Sequence, residues 1–335
     1  MTAYHTWGKY IMARKKTAKN TANNNIAAVI VIIALALAAT FAYFKDPILN
    51  MFDDIDMSGN FAVHFIDVGQ GDSILIQNPE GQYILIDTGE RDQYDKLSAY
   101  LGHYNVKDFK YVVFTHPHSD HIGSADKIVK EYNIETLIMP NAVNTSKTFE
   151  RLVSEIENKN LPVIQAVPGL NFNFGEAEFI ILGPCLENYK DLNNFSVVVK
   201  MTYKESVFLF TGDMEKESEN EVMEFCEENN ISLFADVLKV AHHGSSTSSQ
   251  EIFLERIAPR YAVIFCGADN SYSHPNLKTV DRLVFSGAQV MRTDLEGDIV
   301  IVSDGEKLSV KKGRGDFAEH DPANDAEDER EQNEY

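Results

Sequence analysis

The sequence predicts an α/β protein in which two β-sheets pack against each other and helices cover their outer faces. Short apolar strands come first, between residues 61 and 86. Strands and helices then alternate, and a second stretch of strands and helices follows from residue 178. This pattern is typical of domains that bury one large core between layers. With 335 residues, the chain is long enough for one such domain and a segment at each end.

The first half of the domain is predicted from β-branched and aromatic runs that are separated by glycine-containing turns. Helices are indicated where apolar residues recur every three or four positions, as Phe149, Leu152, Val153 and Ile156 do. The predicted elements are strands at 61–66, 73–77, 83–86, 111–114 and 136–139, and helices at 92–104, 126–132 and 146–158.

The second half repeats this alternation of short apolar strands and amphipathic helices. One of its helices is strongly acidic, and one of its strands leads directly into a second histidine cluster. The predicted elements are strands at 162–167, 178–182, 195–203, 206–211, 236–241, 260–265, 289–292 and 298–302, and helices at 215–228, 249–257 and 276–285.

The amino-terminal segment predicts a membrane anchor. Residues 1–25 are polar and basic, and residues 26–44 contain no charge over nineteen positions. This length is close to the ~20 residues that cross a bilayer. Basic residues before the span predict a cytoplasmic amino terminus and an extracytoplasmic remainder, connected by a linker at 45–59. The expected location is therefore the cell membrane, with a single pass.

A cleaved signal peptide is the alternative, since Ala36-Leu37-Ala38 resembles a cleavage site. The apolar run continues past that site, and the segment before it is long. Both observations favour an uncleaved anchor. A cleaved chain would be secreted, so both alternatives place the bulk of the protein outside the cytoplasm.

The charges are strongly negative, with a net charge of −21 for the whole chain. Residues 60–312 carry 22 basic and 38 acidic side chains, which is not the basic footprint typical of nucleic-acid binding. Residues 313–335 are acidic and lack aliphatic periodicity, so they are predicted to be a disordered tail. The three cysteines are widely spaced and predict neither a disulfide framework nor a zinc motif.

The segment that points to chemistry follows the predicted strand at 111–114. It reads His116-Pro117-His118-Ser119-Asp120-His121 and places four ligand-type residues within six positions. Histidines two apart on an extended segment point the same way, so His116 and His118 can share one metal ion. Asp120 and His121 can then serve a second ion. Imidazole and carboxylate ligands suit zinc, and also manganese or iron.

This His-x-His-x-Asp-His motif resembles that of the metallo-β-lactamase superfamily. Four further segments resemble one branch of it, the metallo-hydrolase domain of ComEC-type competence proteins: 65–73 (FIDVGQGDS), 85–89 (LIDTG), 210–213 (FTGD) and 237–245 (VLKVAHHGS). The resemblance covers about residues 60–312 and implies a four-layer αββα sandwich with a metal site along one edge, between the sheets. The competence proteins also have a multi-span channel region. This chain has one candidate span and is expected to be a stand-alone hydrolase domain.

The resemblance also implies roles for individual residues. Asp213 matches the position that bridges two metal ions, and either His242 or His243 is expected to complete the second site. We prefer His242 as the ligand, because it comes first after the strand, and expect His243 to contact substrate or donate a proton. Asp87 matches an acid that orients ligands.

The first metal position departs from the wider family. Many members supply a third histidine there, whereas residues 191–196 contain none and read Asp-Leu-Asn-Asn-Phe-Ser. The expected cofactors are therefore two divalent ions, with zinc first and manganese as the alternative. The expected metal ligands are His116, His118, Asp120, His121, Asp213 and His242. The expected catalytic residues are Asp120, His243 and His274.

These features predict an extracytoplasmic, metal-dependent hydrolase in which a metal-bound hydroxide attacks the substrate. The branch resemblance favours a phosphoric ester, such as a phosphodiester of DNA. Two alternatives remain: an acyl hydrolase acting on β-lactams or lactones, and a non-catalytic accessory module for DNA uptake. The expected partners are thus a phosphoester substrate, possibly DNA, and the cytoplasmic membrane through residues 26–44.

Overall fold

The computed structural model describes Met57 and residues 59–313. The strands of this part of the chain are β1 (Phe61–Phe65), β2 (Ile74–Gln77), β3 (Tyr83–Ile86), β4 (Asp108–Val113), β5 (Asn133–Met139), β6 (Val163–Gln165), β7 (Asn171–Phe174), β8 (Ala177–Gly183), β9 (Val198–Tyr203), β10 (Ser206–Phe210), β11 (Val237–Lys239), β12 (Tyr261–Ile264), β13 (Gln289–Arg292), β14 (Ile299–Ser303) and β15 (Leu308–Lys312). Its α-helices are α1 (Tyr94–His103), α2 (Ser119–Ile122), α3 (Ala125–Glu131), α4 (Lys147–Lys159), α5 (Lys216–Glu228), α6 (Glu251–Ile257), α7 (Leu277–Phe285) and α8 (Thr293–Glu296).

Within residues 59–313 the strands form two mixed sheets. The first has the order β15-β14-β1-β2-β3-β4-β5-β6, and the second has the order β13-β12-β11-β10-β9-β8-β7. The segment β3-β4-β5-β6 is parallel in the first sheet, and β10-β11-β12-β13 is parallel in the second. Parallel strands require crossover connections, and helices supply most of them.

Three clusters of buried apolar residues separate four layers. One cluster lies between the sheets, where the ring of Phe65 is 6.5 Å from that of Phe210 and 6.0 Å from that of Phe265. A second cluster joins the first sheet to helices α1, α3 and α4, and a third joins the second sheet to α5, α6 and α7. Burying each such large apolar side chain contributes about 1.5–3 kcal/mol to stability. The predicted α/β architecture of two packed sheets with outer helices is confirmed.

Several predicted boundaries shift by a few residues, and two strands were missed. Strands β7 and β15 are short edge strands with mostly exposed or half-buried side chains, so they lack the apolar run that marks a buried strand. The strand predicted at 195–203 begins only at Val198. A 3-10 turn precedes it, and the Asp191 carboxylate caps this turn by accepting a hydrogen bond from the amide of Asn193.

The parallel strands bring distant parts of the sequence to one edge of the molecule. The segment 116–121, which we call the metal loop, follows β4. Asp87 follows β3, which is paired in parallel with β4. In the facing sheet, Asp213 follows β10 and the two histidines at 242 and 243 follow β11. Because the carboxyl ends of parallel strands meet at the same edge, these residues gather there.

Several predictions fall on residues that the structure does not describe. These are the basic segment 1–25, the anchor 26–44, nearly all of the linker 45–59, and all but the first residue of the acidic tail 313–335. Among the described residues, no helix has the length and apolarity that a membrane crossing needs.

Candidate metal centre

The metal loop points two histidines at one position. Pro117 separates them in the loop, and the Nε2 atom of His116 lies 3.0 Å from the Nδ1 atom of His118. His116 is buried, whereas His118 is half-buried. The loop is held from outside by Asn144, whose amide nitrogen donates to the carbonyl oxygen of Pro117. Asn144 in turn precedes helix α4, which Ser146 caps. Two converging imidazole nitrogens suit one side of a metal position.

A second group of four side chains converges next to the first. The Nε2 atom of His243 is 3.2 Å from an oxygen of Asp120 and 3.2 Å from an oxygen of Asp213. The Nε2 atom of His121 is 3.2 Å from the same oxygen of Asp213 and 3.9 Å from the same oxygen of Asp120. The ring centroids of His116 and His121 are 4.2 Å apart, so the two groups adjoin.

The Nδ1 atoms of His121 and His243, on the other side of each ring from Nε2, contact oxygen atoms of the protein. Asp87 accepts at 2.8 Å from the Nδ1 of His121, and it also accepts hydrogen bonds from the amide and the hydroxyl of Thr115. The Nδ1 of His243 lies 3.1 Å from the carbonyl oxygen of Phe265. These contacts fix the rings and leave each Nε2 as the ligand atom. They confirm that Asp87 orients a predicted ligand.

Asp72 and Lys239 lie behind the histidines. Ligand atoms of Asp72, His121, Asp213 and His243 all lie within 4.8 Å of one another, and all four residues are buried. The Lys239 ammonium contacts Asp72, donates to the carbonyl oxygen of Gly212 at 2.8 Å, and lies 3.5 Å from the Oδ1 of Asp213. Lys239 therefore binds Asp72 and faces the Asp213 oxygen that is turned away from the histidines.

Close backbone packing makes this arrangement attainable. The amide of Asp72 donates to the carbonyl oxygen of Asp120 at 3.1 Å. A Cβ atom at Gly71 would lie 2.1 Å from that same oxygen, so only glycine fits there. The sequence prediction that a glycine turn brings the backbone close to the site agrees with this contact.

The adjacent residues His242 and His243 diverge. His243 points into the buried group, whereas the His242 ring is 20% exposed and lies 3.4 Å from a Glu215 oxygen and 3.5 Å from the Asn193 amide nitrogen. Both histidines have left-handed backbone angles, with φ of 51° and 53°. This uncommon conformation turns the chain sharply, so the residue nearest to the strand is not the one that reaches the carboxylates. The structure thus places His243, and not the expected His242, beside Asp120 and Asp213.

Residues 191–196 supply no third imidazole to the first position, and Ser196 of this segment contacts the His116 nitrogen that is turned away from His118. The Ser196 hydroxyl is 3.4 Å from the Nδ1 of His116 and accepts a hydrogen bond from the Asp213 amide. Asn194 accepts from the Glu215 amide. The buried side-chain oxygen of Asn193, Oδ1, has no hydrogen-bond partner within the described part of the chain.

The carboxylates dominate the electrostatics of the centre. Burial lowers the pKa of His243, but Asp213, Asp120 and Asp72 outweigh this effect and raise it to about 10. Burial likewise opposes protonation of His121, yet the same kind of neighbours hold its pKa well above the usual value. These carboxylates attract positive charge into a buried site.

The pKa of His274 shifts in the opposite direction to those of His121 and His243. Burial, followed by repulsion from His243 and His242, lowers the pKa of His274 to about 4, so its ring is neutral at pH 7. Its ring is 6.1 Å from that of His243 and 5.6 Å from that of His242, and it therefore borders the centre without joining the ligand group.

The donor set fits a divalent ion. The Nε2 of His121 is buried and makes no hydrogen bond of good geometry among the described residues, and its nearest polar neighbour is the Asp213 carboxylate oxygen at 3.2 Å. Leaving such atoms unpaired is unfavourable, and a cation satisfies them. Imidazole nitrogens and carboxylate oxygens within 4.8 Å are the ligands of zinc and of related ions.

Comparison with known proteins agrees with this geometry. Residues 66–268 match the model of the metallo-β-lactamase superfamily. The chain belongs to this superfamily. It is 30% identical to ComE operon protein 3 of Bacillus subtilis (strain 168) over 276 residues, which cover 77% of this chain and 34% of that protein.

Competence proteins recur among the relatives. The chain is 28% identical to the competence protein ComA of Neisseria gonorrhoeae, with 70% of this chain and 31% of that protein covered. It spans about a third of the length of these relatives. The crystal structure of CmlA, a diiron β-hydroxylase from Streptomyces venezuelae, superposes with a TM-score of 0.50 at 14% identity, covering 75% of this chain and 55% of CmlA. That likeness concerns the fold alone. The resemblance to the ComEC-type metallo-hydrolase domain is confirmed.

Sequence reasoning missed Lys239 and underestimated Asp72. Asp72 lies in the family-like segment 65–73 but was given no role, and Lys239 was not singled out. A signal was present, since Lys239 interrupts an apolar strand directly before the two histidines. A charged residue in a buried strand is rare unless it is paired, and the pairing partner was not identifiable from the sequence.

Proposed function

We propose that this protein is a metal-dependent phosphodiester hydrolase. The observation that carries the proposal is the pair of ligand groups that adjoin at the rings of His116 and His121. One group offers two imidazoles, and the other offers two imidazoles and carboxylates. Two adjacent divalent ions suit in-line displacement at phosphorus, since they polarise phosphoryl oxygens and lower the pKa of water.

In this proposal His116 and His118 hold the first ion, and Asp120, His121 and His243 hold the second. Asp213 contributes to both. The first position has only two imidazoles besides Asp213, so oxygen ligands such as water would complete it, which suits manganese as well as zinc, whereas the second position suits zinc. We assign His243 as the ligand in place of His242. The His243 ring contacts the carboxylates of Asp120 and Asp213, whereas the His242 ring lies beside Glu215.

The remaining polar groups are suited to the substrate. His242 is partly exposed, and the Nδ1 of His274 has no hydrogen-bond partner within residues 59–313. The ring nitrogens of an imidazole can form hydrogen bonds, so both rings can hold phosphoryl oxygens or the leaving group. Several donors around a tetrahedral anion favour phosphoryl transfer over reaction at a planar acyl carbon.

DNA is the phosphodiester that we propose, at the outer face of the membrane. The support comes from the relatives, which include competence proteins and a "Recombination protein 2" of Haemophilus influenzae. The anchor that this location requires is the apolar stretch 26–44.

A substrate panel tests the proposal on the full chain after removal of metal and reloading with manganese or zinc. We expect hydrolysis of bis-p-nitrophenyl phosphate, little turnover of p-nitrophenyl phosphate, and none of a chromogenic cephalosporin or a lactone. Replacing Asp213 with Asn keeps the shape of the side chain and removes its charge, and it should reduce the rate at least roughly a hundredfold.

Two other outcomes would reject the proposal. Efficient cleavage of the cephalosporin or the lactone without phosphodiester turnover would make the protein an acyl hydrolase. Binding of single-stranded DNA without turnover of any substrate would make it a non-catalytic module.

A further inference from the structure

Three rings follow one another from the buried metal group to the surface. The His243 and His274 rings are 6.1 Å apart, with their planes inclined at 24°, and the His274 and Tyr272 rings are 5.8 Å apart, with their planes inclined at 22°. His243 is 2% exposed and Tyr272 is 67% exposed. Since one face of the Tyr272 ring is directed at His274, the opposite face is open to solvent.

The loop that carries Tyr272 is well supported despite its exposure. The Asn270 carboxamide accepts hydrogen bonds from the amides of Tyr272 and His274, and donates to the carbonyl oxygens of Gly267 and His274. The amide of Asn276 donates to the carbonyl oxygen of Gly244, which follows directly after the metal histidine. The loop is thereby attached to the metal centre, and the backbone that carries Tyr272 is held in place.

A large exposed aromatic ring in a tethered loop calls for a partner with a flat apolar face. The net negative charge of the domain disfavours binding of a nucleic acid through its phosphates, because residues 60–312 carry 38 acidic and 22 basic side chains. Non-specific binding to nucleic acids normally comes from lysine and arginine contacts with phosphates, and the alternative source of affinity is stacking of bases on aromatic rings.

We propose that Tyr272 is the platform for a nucleobase whose phosphodiester lies at the metal centre, which makes it the residue that selects nucleotides over other phosphodiesters. This proposal rests on the proposed function and deepens it. The base stacks on the open face of Tyr272, whose ring is linked to the metal centre by the His274 ring. One unpaired base is sufficient for this stacking contact, so the preferred substrate is a single strand or a free strand end.

The test compares two chromogenic substrates that differ only in the base: thymidine 5′-p-nitrophenyl phosphate and its abasic tetrahydrofuran counterpart. Both have the same leaving group and the same phosphodiester. Tyr272→Ala in the full, metal-loaded chain should lower kcat/KM for the thymidine substrate by roughly five- to a hundredfold, the range of one base–aromatic stack. The loss should appear in KM with kcat nearly unchanged, because stacking acts on the ground state and the transition state alike. Kinetics on the abasic substrate should change less than twofold.

Tyr272→Phe is the matched control, since it keeps the ring and removes the hydroxyl. It should retain the preference of the wild-type protein for the thymidine substrate. An equal loss on both substrates in Tyr272→Ala, or no loss on either, overturns the base platform while leaving the hydrolase intact. Absence of hydrolysis of both substrates by the wild-type protein overturns the proposed function, and the base platform with it.

Discussion

The buried ion pair between Lys239 and Asp72 makes the most direct test of the structure. Lys239 is 1% exposed and Asp72 is 2% exposed. Replacing Lys239 with Met keeps most of the side-chain volume and removes the ammonium, which leaves Asp72 charged and buried. Breaking a buried pair in this way costs about 3–5 kcal/mol. At roughly 2–4 °C for each kcal/mol in a domain of this size, the melting temperature should fall by about 6–20 °C.

The assay is thermal unfolding of the full chain in the presence of a chelator, followed by circular dichroism. Removing metal separates the stability of the ion pair from any loss of bound ions. Lys239→Met combined with Asp72→Asn should recover at least half of the lost stability, because no charge then remains unpaired. A coupling energy of about 1–3 kcal/mol between the two substitutions is expected for groups in contact.

Lys200 provides the matched control. It is also a buried strand lysine, but its ammonium donates to the carbonyl oxygen of Ser232 and, among the residues that the structure describes, forms no ion pair that would leave a carboxylate unpaired. Lys200→Met should therefore cost only about 1 kcal/mol, the net value of one hydrogen bond. If Lys239→Met lowers the melting temperature no more than Lys200→Met does, the argument from the buried charge is refuted.

Further predictions concern the metals and the membrane. Elemental analysis should show that Asp213→Ala loses both ions, whereas His116→Ala retains the second; unchanged metal content in Asp213→Ala would remove this residue from the centre. His243→Ala should lose metal and His242→Ala should retain it, and the opposite result would restore His242 as the ligand. Since His243, with a pKa raised to about 10, is protonated at pH 7 and a ligand must be neutral, metal binding should release protons and tighten as the pH rises. Calorimetry in buffers with different ionisation enthalpies measures this release, and a count of zero at pH 7 contradicts it. Protease added to intact cells should remove the domain after residue 44; a domain that resists until lysis has the opposite orientation.

Short-range patterns were enough to predict the layered fold and most of its strands and helices. Apolar runs are legible in the sequence because burial on both faces of a parallel strand demands them, as in β10 and β12. The clustering of His116, His118, Asp120 and His121 was equally plain, since these four ligand-type residues lie within six positions of the chain. The edge strands β7 and β15 could not be predicted, because a half-exposed strand carries little hydrophobic signal.

The choice between His242 and His243 depended on the tertiary structure. Two adjacent histidines are equivalent in sequence, and only the left-handed turn after β11 sends His243 to the carboxylates and leaves His242 beside Glu215. The roles of Lys239 and Asp72 were also undetermined, because the two residues are far apart along the chain and meet only when the two sheets pack face to face. The sequence by itself therefore determined the fold, the segment of candidate ligands at 116–121 and the superfamily. Long-range packing decided which side chains complete the centre, since contacts between sheets join residues that no local pattern relates.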